Sequence, residues 1–242
     1  MMRRKRLNGY PQAYYTSGHT MPTPFCTSHY MNRFINSKKL VEIKYTNKPP
    51  NMKMKQFEDR YKLPDRNSIN IIGTVRAMEK RDISTVLKLH NMQQKNYKVH
   101  YKMSQDDIIH YMFPKEDVVW TYVIEDSEKN VTDFFSMYRL SQSCTSKEAN
   151  DLGHYMMHSG CLYYYGISKN SIQDIIKLCL WMSKEDMDCD AFSIMTVMDN
   201  DPVMLQRELG FLAGDGALHW YLVNWSLGKK TVSANDIGTI LI

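Results

Sequence analysis

Between Gly73 and Trp225 the apolar residues of the chain keep switching between two periods, and this switching limits the possible folds more than any other feature. Runs over 73–78, 118–125, 131–140, 161–166 and 191–197 carry the short apolar pattern of strands. Residues 217–225 are apolar on both faces, which predicts a central strand. Between these runs, Ile83, Val86, Leu87 and His90 form one helical stripe behind Asp82, read as an N-cap. A second stripe, Ile172, Ile175, Ile176, Cys179 and Met182, follows the N-cap residue Ser171. Ser104 with Asp107 predicts a capping box and a short helix ending at Phe113-Pro114, and Pro202 opens another. The polar turn 126–130 joins two strands into a hairpin. The order is strand, helix, helix, hairpin, strand, helix, strand. It belongs to the α/β (α+β) class, with a mixed twisted sheet flanked by helices.

Upstream, residues 12–16 and 39–45 read as further strands, the second with Val41, Ile43 and Tyr45 on one face and Glu42 and Lys44 on the other. Proline-containing breaks at 48–51 and 63–65 interrupt the pattern, and the second marks a boundary between residues 1–65 and 66–242. Residues 141–160 read as a long polar loop. Gly214-Asp215-Gly216 reads as a tight turn in which glycine supplies φ > 0.

Composition excludes several classes. Hydrophobic residues make up 43% and charged residues 24% of the 242, values of a globular chain with a real core. No run approaches the ~20 apolar residues of a membrane span. The basic residues Arg3–Arg6 have no apolar segment behind them, so they do not form a secretory signal. The net charge of +5 leaves a solvated helix end or a nucleic-acid or lipid contact open for that cluster. No RNA-binding motif accompanies it, so no nucleic-acid partner is expected. Five dispersed cysteines without a C-x-x-C pair point to buried free thiols in a reduced, cytoplasmic protein.

Catalytic signatures are sparse. There is no H-E-x-x-H, G-x-S-x-G or phosphate-binding G-x4-G-K-[ST] pattern. His154 and His158 have metal-pair spacing, yet nothing is placed to complete a site, so no metal is expected. No glycine-rich turn opens a helix after a strand, which is what a pyrophosphate loop requires.

Val75-Arg76-x-Met78-x3-Asp82-Ile83 resembles the opening of a GNAT-type acyltransferase fold. Seven stretches in order are more specific. Gln12-Ala13-x-Tyr15-Thr16-x-Gly18, then Pro22 and Pro24, is similar to the Q-A-x-Y-T-A-G segment of the N-myristoyltransferases. Lys39-Leu40-Val41-Glu42-Ile43 resembles their K-L-I-E-V, Asn51-Met52-x-Met54 their N-M-x-M, and Tyr61-x-Leu63-Pro64 their Y-x-L-P. Met103-Ser104-Gln105 with His110, Phe113, Pro114 and Glu116 resembles their M-S-Q segment. Val131-Thr132-Asp133-Phe134-x-Ser136-x-Tyr138-x-Leu140 and Gly214-Asp215-Gly216-x-Leu218 complete the series.

The resemblance implies a GNAT-like fold in which residues 1–65 end a preceding acyl-CoA lobe and 66–242 form the C-terminal, peptide-binding lobe. It implies protein lipidation: transfer of myristate from myristoyl-CoA, the co-substrate, to the N-terminal glycine of peptides and proteins. No cofactor is implied. By position, Thr16 and the carboxylate at Ile242 would meet the glycine amine, with that carboxylate as base. Tyr15, Gly18, Tyr30, Tyr45, Tyr138, Asp215, Gly216, Leu218 and Leu241 would line the peptide groove. Asn32 stands where the family has histidine, Gln142 near a family serine, and Thr196 replaces an aspartate. The family's acyl-CoA loop does not occur in this sequence, so the chain would depend on a separate or missing acyl-CoA lobe, and strands near Gln12 and Lys39 would carry unpaired edges. A non-catalytic peptide-binding protein derived from the fold is the alternative, with a basic RNA- or membrane-associated protein a third.

Overall fold

The computed structural model describes residues 12–21, 23–228 and 232–240. Pro22, Leu241, Ile242 and the basic run Arg3–Arg6 lie outside the described residues. Eight strands form one sheet: β1 (Ala13–Ser17), β2 (Cys26–Phe34), β3 (Thr74–Ala77), β4 (Val119–Glu125), β5 (Val131–Ser143), β6 (Met156–Gly166), β7 (Ala191–Met195) and β8 (Leu212–Val223). Their order is β1-β8-β2-β7-β6-β5-β4-β3. Among the described strand pairs, only β6–β7 is parallel. The mixed α/β architecture predicted by the switching periods is therefore present, and β8 has a neighbour on each side as its two apolar faces require.

The helices are α1 (Ser37–Glu42), α2 (Met54–Arg60), α3 (Ile83–Gln94), α4 (Gln105–Tyr111), α5 (Lys147–Asp151), α6 (Ile172–Glu185) and α7 (Pro202–Arg207). Local chemistry sets several of their starts. The Ser104 and Asp107 side chains each accept the other's backbone N–H, the predicted capping box of α4. Ser171 accepts from Asp174 N at the start of α6, whose residues Ile175, Ile176 and Cys179 are fully buried.

Four local readings change. Residues 39–45 do not form a strand: Asn36 caps α1 through a 3.2 Å bond from Lys39 N, and Leu40 is buried in a small second core with Phe34, Phe57 and Tyr61. That packing overrides the weak alternation of Val41 and Ile43, and it leaves no unpaired strand edge at Lys39. Residues 141–160 are not one loop. β5 runs to Ser143, α5 follows behind the Ser146 cap, and β6 begins at Met156. Asp82 does not cap α3; its carboxylate accepts Glu79 N and pairs with Arg76 at 2.7 Å. Lastly, β2 is a strand that the alternating runs did not reveal, because polar Ser28 and Arg33 stand at its buried positions and break the apolar pattern.

β6 and β7 pair only from Ser159↔Ala191 to Cys161↔Ser193, yet β6 continues to Gly166 and β7 to Met195. Past that point the sheet forks. The segment 237–240 docks at this fork: Met198 N donates to Ile237 O at 3.0 Å. The buried Tyr164 hydroxyl accepts Ile240 N at 3.0 Å and donates to Ile240 O at 3.2 Å.

Candidate functional site

One cross-strand row passes through the middle of the sheet. Tyr138 of β5 faces Cys161 of β6, Cys161 faces Ser193 of β7, and Ser193 faces Asn32 of β2. Cross-strand partners project to the same side, so these four side chains share one face. Ser193 Oγ donates to Asn32 Oδ1 at 2.7 Å. The other face is closed by α6, where Ser183 lies against Gly160 and Met137, the neighbours of Cys161 and Tyr138.

Tyr30, two residues before Asn32, belongs to the row's face. Its phenol is raised above the ordinary value by burial and then by nearby Cys161. Tyr138 is raised by burial and by the same thiol. Tyr45 is raised by burial and Cys161 as well, although 42% of the residue is exposed, and its ring meets Phe34 edge-on at 6.4 Å. Two of the tyrosines singled out by the sequence, Tyr30 and Tyr138, thus share a sheet face with one thiol, that of Cys161. That thiol is pushed up to about 11 by burial, so it is protonated and not a nucleophile near neutral pH. Tyr138 continues the aromatic surface to Tyr163, edge-on at 5.5 Å.

Opposite Tyr30 the ladder is irregular. His29 pairs with Ala217 and Met31 with Ala213, so Gly214, Asp215 and Gly216 of β8 oppose a single residue. The three residues are a bulge inside a strand, not the predicted turn, and neither glycine has positive φ. Glycine is needed here for close approach: a Cβ on Gly214 would lie 2.5 Å from Asn32 Nδ2 and 3.1 Å from Tyr30 O. The bulge leaves Asp215 and Gly216 exposed beside Tyr30. Leu218 follows in β8 opposite Ser28, half-buried.

The other predicted positions are arranged along β1. Thr16 is half-buried opposite Trp220, and Tyr15 stacks on Tyr221 with ring centroids 5.2 Å apart. Gly18 is exposed just beyond the strand, and a Cβ there would meet nothing within 4 Å. Leu241 and Ile242 lie outside the described residues. Cys161 and Ser193 were missed by sequence reasoning, since only the register puts them between Tyr138 and Asn32. Thr196 accepts His29 N, a structural bond, while Gln142 is exposed near the end of β5.

His154 and His158 do not meet: His154 pairs with Glu42 at 2.8 Å and His158 with Ser141 at 2.8 Å. Among the described residues no group of three His, Cys, Asp or Glu side chains could hold a metal ion. All five cysteines are free, four of them buried. No described helix is long and apolar enough to cross a membrane.

Comparison with known proteins gives one answer. Residues 42–240 match the family model described as "Myristoyl-CoA:protein N-myristoyltransferase, C-terminal domain". Glycylpeptide N-tetradecanoyltransferase 1 of Arabidopsis thaliana is 32% identical over 241 residues, covering 99% of this chain and 53% of that protein. The Plasmodium falciparum (isolate 3D7) glycylpeptide N-tetradecanoyltransferase is 31% identical over 240 residues, covering 99% and 55%. The chain thus spans about half the length of the curated relatives it matches. A crystal structure of Saccharomyces cerevisiae N-myristoyltransferase with bound myristoyl-CoA has the same fold, with a TM-score of 0.87 at 23% identity over 100% of this chain and 63% of that one. This chain belongs to the N-myristoyltransferase family, and the part of the family that it carries includes the C-terminal domain.

Proposed function

We propose that the chain supplies the acceptor-peptide half of a glycylpeptide N-tetradecanoyltransferase, in which myristate passes from myristoyl-CoA to an N-terminal glycine. The observation that carries this reading is the row Tyr138–Cys161–Ser193–Asn32, flanked by Tyr30 and the Gly214–Gly216 bulge, in a chain of this family. It offers an extended peptide an aromatic floor, with Tyr45 and Leu218 at its sides. The exposed Asp215 carboxylate beside it favours a cationic peptide. Residues 1–65 would close the acyl-CoA lobe and 66–242 form the peptide lobe, the two joined through one sheet. The free thiols fit a reduced compartment, and we place the protein in the cytoplasm.

The chemistry needs a base. A peptide α-ammonium has a pKa of about 7.7–8.0, and it must lose a proton before its nitrogen can attack. Thr16, with Tyr15 and Gly18 on either side, would orient the amine, and the carboxylate at Ile242, next to Leu241, would take the proton. The nitrogen then bonds to the thioester carbonyl carbon, the C–S bond breaks, and the CoA sulfur leaves and is protonated.

The test is calorimetric titration of the full chain with an eight-residue peptide bearing a free N-terminal glycine and with its N-acetylated form. The free peptide should bind at least tenfold more tightly, and Tyr30→Phe and Asp215→Asn should each weaken it severalfold. Equal binding of the blocked peptide, or no binding of either, would refute the reading.

A further inference from the structure

The segment 237–240 closes the core beside α3 as a strap held at few points. Met198 N bonds Ile237 O, and Gly238 N donates to Val99 O at 2.7 Å. The Tyr164 hydroxyl clamps Ile240 through both its N–H and its carbonyl. Just ahead of the strap, Lys98 pairs with Asp236 at 2.9 Å. On one side Thr239 and Ile240 border a cavity of about 320 Å³ walled by five tyrosines, Tyr14 and Tyr163 among them. On the other side the strap lies against the end of α3. A Cβ on Gly238 would collide with Gln94 Oε1 and stand 2.5 Å from the Tyr97 ring.

What the strap covers is polar and unpaired. Among the described residues seven buried side-chain N and O atoms lack a hydrogen bond, and four of them belong to His90, Gln94 and Thr239. His90 and Gln94 stand one turn apart on the inner face of α3, both fully buried. Each of these atoms gains water when the strap lifts, which works against docking. His90 alone of the three can change its charge. Its Nδ1 has only Asn91 Oδ1, at 3.3 Å, and its Nε2 has no partner. Its ring stands edge-on to Tyr164, the residue that clamps Ile240, with centroids 5.1 Å apart. Among the described residues no carboxylate acts on the ring. His100, beyond α3, opposes a charge there, and the Tyr164 phenol on β6, raised by burial, keeps its proton. Lys88 and Lys95 of α3 are exposed, and residues 237–240 carry no titratable side chain. On α4, packed against α3, Asp106 and His110 are exposed and Asp107 is bound to Ser104 and Tyr101. With the strap down, burial above all lowers the imidazole from 6.5 to about 4, against a small lift from Asn91.

We propose that the segment 237–240 is an acid-released strap, docked while His90 is neutral and lifted when His90 takes up a proton. The sign follows from linkage. With the strap lifted and the ring in water, His90 titrates near its ordinary 6.5; with the strap docked, it titrates near 4. Docking is therefore at full strength above the higher value and weakens as pH falls between the two. The opening constant rises about twentyfold from pH 6 to 4.5. The Lys98–Asp236 pair stays ionised through this window, because the Ser233 amide and then Lys98 hold Asp236 at about 2. Release carries with it Leu241 and Ile242, to which the function proposed above assigns a groove wall and the base. That consequence rests on the proposed function; the release itself does not.

The test is amide hydrogen exchange of the full chain, followed residue by residue by NMR from pH 6.5 to 4.5 and corrected for the intrinsic exchange rate. The amides of Gly238 and Ile240, bonded to Val99 O and to the Tyr164 hydroxyl, report on the strap. The amides of Asp190, bonded to His158 O at 2.7 Å, and Ile35, bonded to Asp190 O at 2.9 Å, report on the sheet. Protection at Gly238 and Ile240 should fall about twentyfold from pH 6 to 4.5 while the sheet amides stay level. His90→Leu and His90→Gln, neither of which can take a charge, should each abolish that fall, and the sheet amides show that the variants are folded. Tyr164→Phe removes the clamp and leaves His90, so it should lower strap protection at every pH and keep the slope. A strap whose protection ignores pH, a fall that persists in both His90 variants, or an equal fall at the sheet amides would overturn the proposal.

Discussion

Asp133 shows how one motif residue ties distant parts of the chain together. The side chain is fully buried, and its carboxylate accepts the backbone N–H groups of Ser168, Lys169 and Asn170 at 2.7, 3.0 and 3.2 Å. Burial alone would raise its pKa, but bonds from Thr132 and those three amides outweigh it and hold the group below its ordinary 3.8. Asp133→Ala should cost about 3 kcal/mol at pH 7, since it leaves several buried donors unpaired. A depressed folded pKa contributes stability that is complete above the unfolded value and disappears as pH falls through the folded one. Denaturant titrations should therefore show the wild-type advantage over Asp133→Ala constant from pH 7 to 5 and shrinking below the ordinary carboxylate range. Gln94 presents the opposite case. It is 1% exposed, and no protein group bonds its Oε1 or Nε2. Gln94→Met keeps the length of the side chain and removes both polar atoms, so it should stabilise the protein by about 1–2 kcal/mol. A lower melting temperature for Gln94→Met would count against this account of the residue. Asp133 was legible in V-T-D-F as a matched residue, but its structural task was not, because its amide partners lie 35 and more residues away.

At the scale of elements, α3 and β6 are fitted to each other at Gly166. A Cβ there would stand 2.6 Å from Phe134 Cε1 and 3.1 Å from the backbone of Leu89 in α3. Gly166 does not have positive φ, so the restriction is steric rather than conformational. Gly166→Ala should destabilise by about 1–3 kcal/mol, the usual cost of overpacking a close contact. Thermal melts would read it, and Gly153→Ala is not a suitable control because φ there is +80°. Gly18→Ala is suitable, since a Cβ there meets nothing within 4 Å, and it should melt with the wild type. Most helices were readable in advance because their signals are local: a serine cap at Ser104 or Ser171 and an apolar stripe behind it. α1 was misread because its deciding contact, Leu40 against Phe34, Phe57 and Tyr61, is tertiary.

For the whole molecule, the order of the strands matters more than their number. β1 and β2 come first in the chain but pair with β8 and β7, so one sheet unites residues on both sides of position 65. The N-termini of α1 and α6 are occupied by their own side-chain caps, Asn36 and Ser171. Neither offers the run of free amides that would cradle a pyrophosphate. Calorimetric titration of this chain with myristoyl-CoA should accordingly give no stoichiometric micromolar binding. Tight binding that requires the CoA moiety would show that a phosphate site exists elsewhere on the chain.

The sequence by itself determined the fold class, the helices capped at Ser104 and Ser171, most of the strand content after Gly73 and the family, because periodicity, caps and ordered motifs are local properties of the chain. It also placed Tyr30, Tyr138 and Asp215 in one functional set through resemblance. Only the tertiary structure decided that Cys161 and Ser193 stand between Tyr138 and Asn32, that Gly214-Asp215-Gly216 is a bulge, and that Thr239 lines a tyrosine cavity. Those facts depend on strand register and on which strands become neighbours. Register is fixed by the summed packing of a whole sheet face, which no single stretch of sequence contains.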